Sequence, residues 1–152
     1  RHYGHMAQVT VTAQRVIHGP VEQVRTAIAD YQSTRPKILT DHYSDYQLKG
    51  GGHGAGSLVH WKLAATEKRV RDQLVEVSEA DGALVESDQN SSMVTTWTVS
   101  PADGGHSTVE VHTTWNGAGG IGGFFERTFA PAGLRRIYDG VLGNLDSVIQ
   151  SD

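Results

Sequence analysis

Three tryptophans, Trp61, Trp97 and Trp115, each sit in a stretch where apolar and polar residues alternate, and each falls on the apolar side. An indole in that position either fills a core or lines a wall on which a flat, ring-bearing ligand stacks. Its N–H needs a partner when buried. Thr95 and Thr113 share those faces, and a hydroxyl on an apolar face must be hydrogen-bonded by something. Leu63, Val75 and Val111 supply hydrocarbon to the same candidate surface. Tyr46 and Tyr138 are the phenols expected to point inward, whereas Tyr43, three residues from Tyr46 in an extended segment, is expected on the opposite face. A phenol orients a ligand carbonyl or acts as a proton donor, but it titrates near ~10 unless perturbed.

Two cationic positions extend this set. Arg35 lies beside Pro36 and is placed at the mouth of a cavity, where a guanidinium holds a carboxylate bidentately; a solvated arginine is the alternative. Arg71 and Gln73 share parity with Val75 and Val77, which puts them inside or at a rim. A buried arginine there would need a partner or a ligand anion.

Other chemistries find no support. The chain has no cysteine, so disulfides, thiol nucleophiles and thiolate metal sites are excluded. His60 and His112 alternate against apolar neighbours and should face solvent, while His42, His53 and His106 lie in or near turns. No histidine–carboxylate spacing on a common face appears, so no metal site is expected. Gly117, Gly119 and Gly122 formally match GxGxxG, yet no further strand follows to complete a dinucleotide-binding unit. These glycines read better as a hinge, with Ile121, Phe124 and Phe125 as an apolar lid, or as a tight turn with packed aromatics. Ser57, Ser91 and Ser92 have no identifiable base, so a hydrolase triad is unsupported. No cofactor is expected.

The elements that must position these residues follow from periodicity. Gln8–Ile17 alternates as a half-buried strand, with Val9, Val11, Ala13 and Ile17 on one face. Pro20 opens a helix carrying Val21, Val24 and Ile28 in one stripe. Tyr31–Leu39 is a second short helix, interrupted near Pro36. Six further strands are expected over 41–49, 57–65, 68–78, 83–88, 93–100 and 108–115. Gly50–Gly56 is a flexible turn, and Asp81-Gly82 is a hairpin signal. Hairpin-length connections from the second strand onward make one antiparallel meander. The last helix presents Leu134, Tyr138, Val141, Leu145 and Val148 as an apolar stripe, and Pro131 divides it from a first segment over 121–130. Arg135, Arg136, Asp139, Asn144 and Asp146 populate its remaining surface. Gly140 and Gly143 are costly in a helix interior, which points to close approach of the sheet or to room for a ligand.

The 152 residues fit one domain over 7–150, with Arg1–Met6 reading as an expression remnant that ends on the native start. The formal net charge of -4 argues against a nucleic-acid footprint. No segment approaches the ~20 apolar residues of a membrane span. Absence of cysteine suits a cytoplasmic protein.

The order strand, two helices, six strands, long helix resembles the helix-grip fold of the START/Bet v 1-like (SRPBCC) superfamily. Its bacterial polyketide cyclase/dehydrase and lipid-transport branch is the one the chain looks like. Residues 19–24, 95–99, 108–115 and Phe124-Phe125-Glu126-Arg127 carry the resemblance, which covers essentially the whole native chain. It implies an α+β domain: a seven-stranded curved antiparallel sheet, two short helices after the first strand, and a long C-terminal helix. It also implies a deep cavity between the sheet's concave face and that helix, in a superfamily whose members bind lipids, sterols or polyketides. Some branches catalyse reactions and others only bind, so fold alone does not decide activity.

The expectation is a protein that binds a hydrophobic small molecule or lipid in that cavity. Its lining would comprise Trp61, Leu63, Gln73, Val75, Thr95, Trp97, Val111, Thr113, Trp115, Phe125, Leu134, Tyr138 and Val141. Arg35, Tyr46, Ile121 and Phe124 would form the mouth or lid. Two alternatives stay open: a cyclase or dehydratase-like enzyme using Tyr138, Tyr46 or Arg71 as acid or base, and a protein-interaction module with a collapsed cavity. Monomer and homodimer are not distinguished.

Overall fold

The computed structural model describes residues 8–66, 69–116 and 130–152. Seven strands form one antiparallel sheet in the order β1-β7-β6-β5-β4-β3-β2. They span β1 Gln8–Ile17, β2 Tyr43–Gly50, β3 Leu58–Thr66, β4 Arg69–Ala80, β5 Ala83–Asp88, β6 Val94–Pro101 and β7 Ser107–Asn116. From β2 to β7 each strand pairs with its successor, and β1 closes the far edge on β7. The helices are α1 Val21–Ile28, α2 Thr34–Ile38 and α3 Pro131–Ser151. This is the helix grip expected from the element order.

Alternation decides which face is buried. Val59, Trp61, Leu63, Val75, Val77, Trp97, Val99, Val109, Val111 and Trp115 all point into the core from their strands. Burying each such side chain contributes about 1.5–3 kcal/mol relative to exposure. The hairpin signal at Asp81-Gly82 is realised: both residues have positive φ, 53° and 80°, and Ala80 pairs with Ala83. Two consecutive left-handed residues match the strand twist, which is why a glycine stands second.

Several expectations need correction. Pro36 does not interrupt α2; it lies in the first turn, where its missing N–H is one that no helical carbonyl would have met. The last helix begins at Pro131, and residues 121–129 of the expected first segment lie outside the described residues. The buried face of α3 is wider than the expected stripe: Ile137, Leu142 and Ile149 join it, while Val148 is only partly buried. A single line of side chains is too narrow to cover a curved sheet. Asp146, expected on the surface, is 4% exposed. Gly140 is approached by the side chain of Thr40 rather than by the sheet. The glycine-rich turn docks on the helical pair: Tyr31 N–H donates to Gly52 O and Gly54 N–H to Ala29 O, each at 2.8 Å. That docking fixes the segment leading into α2, and with it Arg35.

Candidate functional site

The site begins with β2. Tyr43 pairs with Leu63 and Ser44 with Lys62, but Gln47 pairs with His60, so β2 carries one extra residue. Asp45 absorbs it with a φ of 53°. Such a bulge flips the parity beyond it. Tyr43 and Tyr46 therefore do not face opposite ways: both reach the Trp61 indole, Tyr43 edge-on at 5.8 Å between centroids and Tyr46 stacked at 6.2 Å. The Tyr46 hydroxyl donates to Tyr31 O at 2.5 Å, which ties β2 to the helical pair.

Arg35 does not stand at a mouth. It is 1% exposed, one of the most deeply buried side chains in the molecule. The carboxylate it holds is internal: Nη1 donates to Glu86 Oε2 at 2.6 Å, and Nη2 donates to Ile28 O at 2.7 Å. The Tyr31 hydroxyl donates to the same Glu86 oxygen, and Trp97 Nε1 donates to Oε1 at 3.1 Å. The guanidinium lies 4.5 Å from the Tyr31 ring centroid and 4.7 Å from that of Trp97, a cation–π sandwich. Burial alone would lower the Arg35 pKa, but Glu86 overrides it and holds the guanidinium above its ordinary value. Arg35 Nε has no hydrogen-bond partner among the described residues.

A second polar chain crosses from β3 to the β5–β6 turn. Trp61 Nε1 donates to Gln73 Oε1 at 2.8 Å, and Gln73 Nε2 contacts Met93 Sδ at 3.1 Å and Asp88 Oδ2 at 3.4 Å. Asp88 also accepts from Leu74 N, Asn90 N and Ser91 Oγ, so its charge is spread over backbone and hydroxyl donors. A third chain joins hydroxyls on the other wall: Thr95 to Thr113 at 2.8 Å, and Thr113 to Tyr138 at 2.7 Å.

These groups surround one cavity between the sheet and α3. Of the residues expected to line it, Trp61, Leu63, Gln73, Val75, Thr95, Trp97, Tyr138 and Val141 do so. Val111, Thr113, Trp115 and Leu134 are buried but pack in the core beyond its wall. Ile121, Phe124 and Phe125 lie outside the described residues. Arg71 does not line the cavity and is partly exposed; burial holds its pKa below the ordinary value, with Asp88 opposing that shift. Leu39, Tyr43, Glu86, Asp88 and Met93 line it without having been expected. Glu86 and Asp88 share strand parity with Leu84, but Val85 on the other parity is equally apolar, so alternation left the inward face of β5 open.

The free space is about 30 Å³, room for roughly two waters. Burial pushes the cavity's phenols upward: Tyr138 to about 12, and Tyr43 well above its ordinary value, with Tyr138 and Glu86 adding to the shift. Each is therefore a hydrogen-bond donor at neutral pH. The Tyr43 hydroxyl makes no hydrogen bond among the described residues. Next to the cavity, sharing Trp97 as a wall, is a groove of about 260 Å³ between α1 and the β4–β5 hairpin, with Arg25, Ile28, Leu84 and Val99 on its sides. Among the described residues no group of metal-ligating side chains comes together, and no helix is long and apolar enough to cross a membrane.

Comparison with known proteins places this geometry. The family model described as polyketide cyclase / dehydrase and lipid transport matches residues 8–150. The NMR solution structure of KanY protein is 52% identical, with a TM-score of 0.86 over 95% of this chain and 99% of that one. TTHA0849 from Thermus thermophilus shares the fold at 18% identity and a TM-score of 0.73, covering 94% of this chain and 98% of that one. Major latex-like protein 151 of Panax ginseng does so at 13% identity and a TM-score of 0.69, over 92% and 96%. No curated protein matches the chain in sequence.

Proposed function

Since the chain belongs to the polyketide cyclase / dehydrase and lipid transport family, we propose that it binds a hydrophobic small molecule between the sheet and α3. The observation that carries this reading is the cavity's make-up. Four aromatic rings, Tyr43, Trp61, Trp97 and Tyr138, wall a space with hydrocarbon from Leu63, Val75 and Val141, and a few buried polar groups stand among them. That is the composition of a small-molecule site: apolar burial supplies affinity and sparse polar groups set orientation. The present 30 Å³ is about a tenth of the smallest usual ligand site. Occupancy therefore requires the walls to part. Trp97 is the side chain whose displacement would join the cavity to the 260 Å³ groove behind it.

The small volume also favours a second reading, a protein-interaction module whose cavity stays collapsed. In an enzymatic reading the cavity's phenols, held protonated by burial, would serve as acids and not as bases.

Native mass spectrometry of the purified protein, beside the same sample denatured, separates the first two. The expected result is a discrete extra mass that disappears on denaturation, or one that appears on adding neutral aromatic compounds. A clean protein mass under both conditions would overturn the binding reading in favour of the collapsed module.

A further inference from the structure

The cavity contains charge, but its cation is already balanced by an internal carboxylate. Among the described residues the charged side chains on its wall are Arg35, Glu86 and Asp88. Arg35 and Glu86 neutralise one another at 2.6 Å, with the Tyr31 hydroxyl and the Trp97 indole closing around the carboxylate. Asp88 accepts from two backbone N–H groups, a serine hydroxyl and Gln73. An arriving carboxylate would find its only wall cation already paired. It would have to displace Glu86 or remain buried without a counter-charge, and an unpaired buried charge is strongly disfavoured. An arriving cation would meet carboxylates whose lone pairs are largely taken.

One neutral polar wall group makes no hydrogen bond among the described residues. This is the hydroxyl of Tyr43, which lines the cavity with its ring nearly perpendicular to the Trp61 indole. It offers a donor to a ligand acceptor, beside an indole on which a flat ring can lie.

We propose that the cavity takes uncharged, flat molecules bearing a hydrogen-bond acceptor such as a ketone oxygen, and rejects their carboxylates. This rests on the binding reading above and names the ligand class for that same site. The expected arginine–carboxylate clamp at Arg35 is thereby replaced by a neutral contact at Tyr43.

The test uses two probes of nearly equal shape, 2-acetylnaphthalene and 2-naphthoate, titrated into the full chain at neutral pH and read by calorimetry and by NMR shifts. The ketone is expected to bind at least about tenfold tighter, a difference of ~1.4 kcal/mol. Tyr43→Phe should weaken the ketone several-fold and leave naphthalene unchanged. Glu86→Gln should raise naphthoate affinity, because it releases the Arg35 guanidinium; the wild-type comparison stands even if that variant fails to fold. Equal affinity for the two probes, or preference for the carboxylate, overturns the proposal while leaving cavity binding intact. Binding of neither probe overturns both.

Discussion

Where β1, β7 and α3 meet, the buried faces are mostly hydrocarbon, Val11, Ala13, Val109, Val111, Leu142, Leu145 and Ile149, with Ser107, Thr113 and Asp146 buried among them. Where β3 to β6 meet the helical pair, the same sheet buries Arg35, Gln73, Glu86, Asp88 and Thr95. The first region gains ~25 cal/mol for each Å² of apolar surface removed from water. The second gains far less, because desolvating an ion pair roughly cancels its attraction, and apolar groups of equal shape would often serve stability better. The hydrocarbon half is therefore the half that holds the fold. The polar half carries groups that folding alone does not require, and these surround the cavity.

The comparison breaks most visibly at Arg35. Arg35→Ala leaves Glu86 buried without its counter-charge and empties the space between the Tyr31 and Trp97 rings. A loss of about 3–5 kcal/mol is expected in denaturant unfolding, since removing one partner of a buried pair strands the other. Replacing both, as Arg35→Met with Glu86→Leu, should recover most of that loss. If Arg35→Ala costs less than about 1 kcal/mol, the pair behaves like an exposed one and the distinction between the halves fails.

A smaller effect belongs to the hydrocarbon half. A methyl added at Gly19 would lie 2.5 Å from Ile149 Cγ2, and nothing there can yield cheaply. Gly19→Ala should cost about 1–3 kcal/mol by overpacking. Because the strain is remote from the cavity wall, affinity for 2-acetylnaphthalene should change by less than about twofold. Loss of stability together with loss of binding would show that the halves are coupled.

Periodicity made the hydrocarbon half legible. The strict alternation of Val109, Val111, Thr113 and Trp115, and the spacing of Leu134, Tyr138, Val141 and Leu145, place their elements and faces without help from partners. The polar half was legible only in part. Trp61 and Trp97 sit where alternation puts them, but the bulge at Asp45 reversed the reading of Tyr43. Arg35 and Glu86 are 51 residues apart, and His18 and Asp146 are 128 apart. Local pattern cannot pair charges at that range, so Arg35 read as a residue of the cavity mouth, Asp146 as a surface residue, and Glu86 and His18 had no assigned role. A buried charge is intelligible only with its partner, and the partner is a tertiary fact.

Asp146 gives the smallest test and the sharpest one in pH. Its carboxylate accepts from His18 N–H at 2.8 Å and from His18 Nδ1 at 3.0 Å, with Arg15 Nη2 at 3.7 Å. Burial raises its pKa, but the His18 backbone N–H, the His18 ring and Arg15 together outweigh burial and hold it below 3.8. A folded pKa below the unfolded value means the carboxylate contributes stability above ~4 and loses it as pH falls through the lowered folded value. Asp146→Asn keeps an oxygen facing His18 but removes the charge. Wild type should exceed it by about 1 kcal/mol near pH 6, the typical difference between a hydrogen bond to a charged group and one to a neutral group. The two should converge as pH falls through the lowered folded value and the wild-type carboxylate protonates. Asp30, also held low against burial by the Ser33 and Gln32 N–H groups, acts in the same acid range in both proteins and cancels in the difference. A gap that persists unchanged through that range would mean that the shape of the side chain, and not its charge, ties α3 to the end of β1.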